Sequence, residues 1–386
     1  MPTDIKKGEI FSTFHVLAEN FFTIVSGLLA YETELTFTVS ETKLIISAGS
    51  AAKVPLELLS EENVSPELPS FLDSKIMKSL IAMVKINAQE FSSFLKKGCF
   101  LSSSTESGNE RRDHVVFTIK NDIIIGNSTN SNALSKSEKK VVSRIIPTTL
   151  VLYHLKKKQQ NIREDSERKD FGVKVKDAVK NKNLDALVKE YSIPTDTFSF
   201  SIPATAFSII KKLSSGTGEV QISVTDTYFY LIYNGLTATF TLGNDVSNCY
   251  SILDSWVKSP KVSDAVVDAN TLLKGLNLFL LKYADSTQPT VAHLEMKKNA
   301  LTIIRGDLVI EVPYIQSDGL CELWIDPRLL NSVIKNQDRG NLCLSFREVP
   351  DANEKNPHIL LEVRNGDLSD NSSDYVFILP CRAPKN

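Results

Sequence analysis

A chain of 386 residues, 42% hydrophobic and 23% charged, can bury two or three cores and is composed like an ordinary globular protein. Its 44 Lys+Arg against 46 Asp+Glu leave a net charge of -2, so a polyanionic partner would have to be met by a local basic face. Five scattered cysteines without a C-x-x-C pair argue against a disulfide framework or zinc knuckle, and no signal peptide or membrane-length apolar run is visible, which points to a cytosolic-type protein without a membrane partner.

Along the chain one pattern returns: an extended stretch, a capping residue, an amphipathic helix, then two or three strands. The weakest copy starts at 10–22 (IFSTFHVLAENFF), with strands at 34–40 and 43–47 and a polar connector from Pro55 to Pro69. A second copy at 83–97 (MVKINAQEFSSFLKK) leads into a hairpin, 114–120 and 122–126, turning at Asn121. Residues 126–140, rich in Ser, Asn and Lys, read as a loop, and the mixed-charge stretch at about 155–190 reads as an insertion with helical spacing from Val173 to Tyr191. The clearest copies follow at 198–213 (FSFSIPATAFSIIKKL), 265–276 (AVVDANTLLKGL) and 321–335 (CELWIDPRLLNSVIK), each trailed by strands that end with 375–379.

The unit has a physical basis. Asn87 with Glu90 makes a capping-box pattern, and Asp326 before Pro327 is an N-cap with proline in the first turn. Leu272, Leu273, Leu276 and Leu280 share a helix face, as do Leu329, Leu330, Val333 and Ile334, so each helix lays one stripe on a sheet. The expected fold is therefore α+β, built from repeated β-α-β-β units with helices on one side and sheets on the other. On the outward stripes basic residues recur: Lys96, Lys97, Lys211, Lys212, Lys274, Lys282, Arg328 and Lys335. Lysine on a solvent face is ordinary for any single helix, and the first helix, with only Glu19, does not share the signal. Four helices together suit a phosphate backbone contacted without sequence reading.

These residues resemble the sliding DNA clamps, in particular the bacterial β-type polymerase processivity factor. The likeness is carried from Asp196 to the C-terminus by the order of strand, helix and strands, the Tyr250 connector and the ending 377–382 (FILPCR). It implies helices lining a central channel around duplex DNA, sheets outside, and a homo-oligomeric ring, dimer favoured and trimer allowed. It also implies a pocket for polymerase and clamp-loader peptides, which by position takes Tyr250, Phe377, Leu379, Pro380, Cys381 and Arg382; alternating apolar residues such as Phe377 and Leu379 read equally well as plain core strand. The implied domains are 1–80, an N-terminal half-domain, 81–260, a middle domain carrying the insertion, and 261–386, a C-terminal domain. A polar segment, 127–134, stands in place of the family's pocket motif; five units where the family has six or four, the lysine- and asparagine-rich loops and the insertion would suit a divergent, viral clamp.

Catalytic patterns are missing. The five histidines lack metal-ligand spacing, and there is no P-loop, G-x-S-x-G or strand-borne G-x-G-x-x-G. The glycines of 214–219 fit a helix C-cap, and Asp268 and Asp326 fit helix caps better than acid–base work. The expectation is a non-enzymatic clamp without cofactors that tethers a DNA polymerase, in the cytoplasm at the nucleoid, or in host cytoplasm if viral. The alternatives are a clamp-fold platform for transcription or repair factors, or a repeat protein holding a small apolar ligand.

Overall fold

The computed structural model describes residues 16–30, 32–40, 42–50, 52–59, 74–102, 113–130, 132–213, 216–243, 250–283, 291–350, 358–369 and 373–382. The chain divides into two compact units, Met1–Pro69 and Ser70–Asn386. In the first, helix α1 (Ala18–Leu28) packs on an antiparallel sheet of β1 (Leu35–Val39), β2 (Lys43–Ala48) and β3 (Ala52–Glu57) around Leu28, Leu44, Ile46 and Leu56. The helix starts later than the pattern at 10–22 suggests, and 10–15 lie outside the described residues. Pro55, expected to open a connector, lies instead in β3; an edge strand tolerates the missing N–H.

The second unit opens with α2 (Ser74–Ser79), β4 (Ala82–Asn87), α3 (Ala88–Gly98), β5 (His114–Lys120), β6 (Ile123–Thr129), β7 (Ala133–Lys140) and β8 (Val142–Ile145). Helices α4 (Pro147–Asn161), α5 (Asp165–Lys180) and α6 (Leu184–Tyr191) precede β9 (Thr197–Pro203), α7 (Ala204–Leu213), β10 (Glu219–Val224), β11 (Tyr228–Tyr233) and β12 (Leu236–Thr241). After α8 (Leu253–Lys258) come β13 (Lys261–Asp268), α9 (Ala269–Lys282), β14 (Ala292–Met296), β15 (Ala300–Arg305) and β16 (Leu308–Asp318). The last group is β17 (Glu322–Ile325), α10 (Pro327–Lys335), β18 (Asn341–Val349), β19 (His358–Asn365) and β20 (Tyr375–Ile378).

Two sheets hold these elements: β12-β11-β10-β4-β8, and a twelve-stranded run β17-β14-β15-β16-β13-β18-β19-β20-β7-β6-β5-β9. The strand that leads into a helix pairs with the strands of the neighbouring copy, β4 with β10 and β9 with β5, so adjacent copies cannot separate without breaking ladders. The long run is joined in its middle by β20 and β7, antiparallel from Tyr375↔Lys136 to Ile378↔Ala133. Helices α3 and α7 bury Phe91, Phe94, Phe207 and Ile210 in one core; α9 and α10 bury Leu272, Leu276, Phe279 and Leu330 in another.

Two sequence expectations change here. Where a loop was expected at 126–140, residues 126–129 and 133–140 lie in strands β6 and β7. Ser128, Ser135 and Ser137 face inward and are buried, and Ser135 Oγ reaches Gly98 O at 2.8 Å. Small hydroxyls fit because α3 comes so close; a Cβ on Gly98 would stand 2.6 Å from the Ser137 Cβ. The insertion folds into helices, and α4–α6 close on a small core of Val151, Leu155, Phe171, Leu187 and Ile193. The turn before β6 is as read: Asn121 and Asp122 take φ of 47° and 58°, as a two-residue hairpin of this twist requires.

Candidate functional site

The helices that carry the basic residues are set by their caps. Asn87 Oδ1 accepts from the Gln89 and Glu90 amides at 2.9 and 3.4 Å, Asp268 Oδ1 from Thr271 N at 2.7 Å, and Asp326 Oδ1 from Arg328 N at 2.8 Å. Each cap fixes where the apolar stripe meets the sheet and therefore which residues face away. Lys96, Lys211, Lys212, Lys274, Lys282, Arg328 and Lys335 are all exposed. Several stand in the last turn of their helix, where a cation also complements the helix dipole.

Lys97 behaves differently. Its Nζ lies 2.5 Å from Asp338 and 3.4 Å from Asp374, with only 13% of the side chain exposed. Burial works against its charge, but the hydrogen bonds and fields of Asp338 and Asp374 outweigh it and hold the ammonium above the ordinary lysine value. Asp374 is held further by Ser137 Oγ at 2.7 Å and by the Glu138 amide at 3.1 Å. Lys97 thus pins α3 across the β7–β20 joint.

A cleft of about 170 Å³ opens between α3, α9 and α10, with Lys96, Lys335 and Arg339 beside Asn270, Gln337 and Asp338. The buried Asn331 donates through Nδ2 to Asn277 Oδ1 at 2.9 Å, which ties α10 to α9. Arg339 escaped the sequence reading because it follows the helix rather than sitting in its period. Only the packing of α3 beside α10 brings it next to Lys96.

On the opposite face of the β7–β20 joint is an apolar cluster under α8. It contains Tyr250, Leu253, Trp256, Tyr375 and Phe377, with Leu379 packed at its margin. Trp256 meets Phe377 edge-on, centroids 5.5 Å apart. Of the residues expected in a peptide pocket, Tyr250 and Phe377 are buried in this cluster and Leu379 is half-buried. Pro380 and Cys381 are half-buried and Arg382 is exposed; the chain there turns to β17, where Cys381 N donates to Trp324 O at 2.7 Å.

Helix α8 is tied at both ends. Lys136 reaches Glu138 at 2.9 Å and Asp254 at 3.4 Å, and it works against the burial that pushes the Tyr375 phenol up to about 12. At the other end Arg347 Nη1 donates to Ser259 O at 2.7 Å, while Glu362 pairs with both Arg347 and Arg364. Leu253 and Trp256 are one turn apart, the signal by which the sequence could have shown this helix. Among the described residues no group of three His, Cys, Asp or Glu could hold a metal ion, and no helix is long and apolar enough to cross a membrane.

Solved structures share this architecture. The DNA polymerase III beta subunit of Thermotoga maritima superposes with a TM-score of 0.66 at 11% identity, covering 98% of this chain and 84% of that one. The chain has the sliding-clamp fold. The DNA polymerase sliding clamp of Bacillus subtilis gives 0.63 at 15% identity, over 100% and 85% of the two chains. The DNA polymerase III beta chain of Streptococcus pneumoniae gives 0.61 at 13%, over 97% and 82%. No protein-family model and no curated protein sequence matches the chain. At such identities the likeness is one of fold.

Proposed function

We propose that the protein is a DNA sliding clamp, a non-enzymatic ring that encloses duplex DNA and tethers a DNA polymerase. The observation that carries this reading is the row of exposed basic residues on α3, α7, α9 and α10 within a clamp fold. Lys96, Lys211, Lys212, Lys274, Lys282, Arg328 and Lys335, together with Arg339, would meet phosphates without reading bases, and the ring would stay on by enclosure rather than by affinity. Lys97 takes no part in this contact, since its charge is spent on Asp338 and Asp374. Residues 81–260 and 261–386 act as the middle and C-terminal clamp domains. The surface at Leu379, Pro380, Cys381 and Arg382 beside α8 receives polymerase and loader peptides.

The test is retention on a nicked circular plasmid during gel filtration, before and after the plasmid is linearised. Retention on the circle and loss from the linear form are expected, and equal behaviour on both forms overturns the reading. Glutamate at Lys96, Lys335 and Arg339 should also flatten the salt dependence of duplex binding, by about 0.9 in log–log slope for each phosphate that is no longer neutralised.

A further inference from the structure

Four of the five repeats pair off within the chain, and the pairing follows one rule. The first strand after each helix lies against the strand that leads into the helix of its sister repeat: β5 against β9, β10 against β4, β14 against β17 and β18 against β13. The register is the same each time. The first inward residue of the strand faces the residue two before the sister's helix, as Val115 faces Ile202, Val220 faces Ile86, Ala292 faces Ile325 and Leu342 faces Val267. This contact seals the inner face. Val220, Ile222 and Val224 of β10 are at most 1% exposed, and their counterparts on the other three strands at most 2%.

The repeat made of α1 and β1–β3 has the same inner face without that cover. Leu35, Phe37 and Val39 are the inward residues of β1, opposite the buried Ala48, Ile46 and Leu44 of β2. Yet Phe37 is 48% exposed and Val39 42%, and among the described residues β1 pairs only with β2. Helix α1 is as incomplete. Phe21, Ile24 and Val25 stay half-buried and Leu28 is the one buried residue among its described side chains, whereas α3, of equal length, buries five.

We propose that this repeat is completed by the same repeat of a second copy of the chain, with Leu35 of each copy against Val16 of the other. Val16 stands two before α1, the place that Ile86, Ile202, Val267 and Ile325 hold ahead of the other four helices, and it is aliphatic as they are. The choice of occupant follows from the pairs already made. Every sealed repeat is covered by another of its own kind, and each pair exchanges leading strands reciprocally. A reciprocal exchange between identical surfaces is what a two-fold contact between copies supplies. The two edges of the small sheet agree. The β3 edge carries Lys53, Pro55 and Glu57, which discourage pairing, and β1 reads LTFTV with neither charge nor proline.

The proposal goes beyond the clamp reading and is tested without DNA. Light scattering of the full chain should give two chains for the wild type and one for Phe37→Asp and for Val39→Lys. Both side chains are exposed in the single copy, so far-ultraviolet circular dichroism should change little, which separates loss of the contact from loss of the fold. The register is tested by co-expressing Val16→Cys chains with Leu35→Cys chains and oxidising mildly. Partners in an antiparallel ladder stand about 5 Å apart at Cα, within reach of a disulfide. A covalent pair of chains is expected from the mixture and from neither variant alone. A wild type at one chain, a Phe37→Asp variant that keeps the wild-type mass, or a mixture that cross-links no more than its components would each overturn the proposal. A cross-linked pair that is not retained on circular DNA keeps this contact and removes the tether; retention without the cross-link does the reverse.

Discussion

Helices α3 and α9 hold the same place in two copies of the unit, yet they come closest to their sheets one turn apart. In α3 a large residue, Phe94, sits over Gly126, and Gly98 one turn later lies against Ser137 and the Gly126 carbonyl. In α9 the order is reversed. Gly275 takes the place of Phe94 and lies against Ile310, and Phe279 takes the place of Gly98 and packs 5.0 Å from Tyr283. The volume between helix and sheet is filled in both, by exchanging bulk along the helix and matching it on the strand below. A repeat of this kind conserves shape complementarity and not residues, because interiors pack to near-crystalline density whatever the sequence.

Substitutions can break that comparison. The largest effect is expected for Phe94→Ala, which empties the ring's place above Gly126 and next to Phe91 and Phe117; about 4 kcal/mol should be lost in chemical unfolding. Next is Gly98→Val. Its Cβ would stand 2.8 Å from the Gly126 carbonyl oxygen, which is main chain and cannot turn aside, so about 3 kcal/mol is expected. Gly275→Ala sharpens the contrast: the atom in its way is an Ile310 methyl at 2.9 Å, and the gain of about 1 kcal/mol in helix propensity should offset the crowding, leaving the thermal midpoint nearly unmoved.

Lys97→Met is intermediate, at about 2 kcal/mol, because it leaves the mostly buried Asp374 without its cation, while the exposed Asp338 can be solvated. It has a distinctive pH signature. The folded-state pKa of Lys97 is raised above 10.5, so the pair's contribution is complete below that value and is lost as pH rises through the folded pKa. The wild type should therefore lose stability on the alkaline side where the Lys97→Met variant does not, as measured by denaturant midpoints at pH 9 to 12. The smallest loss, about 1 kcal/mol by the same measurement, is expected for Asp326→Ala, which removes the N-cap of α10.

What the sequence made legible was local. The caps Asn87, Asp268 and Asp326 bond as their spacing implies, and the leucine stripes of α9 and α10 are the faces that are buried. Helix starts and amphipathic faces depend on residues within a turn or two, so one chain segment contains all the information. The polar strand β7 was hidden because its serines are inward only by virtue of Gly98 above them.

The candidate site divides along the same line. Exposed lysines on helix faces could be read from period alone, and Lys97 could not be told from Lys96. Which of the two is bound to acids is decided by Asp338, in the turn after α10, and Asp374, before β20, both more than two hundred residues away. Trp256 against Phe377, and Arg339 beside Lys96, are likewise meetings between distant segments. By itself the sequence determined the repeating unit and its basic outer stripe, because short-range capping and periodicity fix them. The tertiary structure alone decided which charges are spent, which apolar residues are buried and which edges stay open, because those depend on backbone pairings that no local pattern encodes.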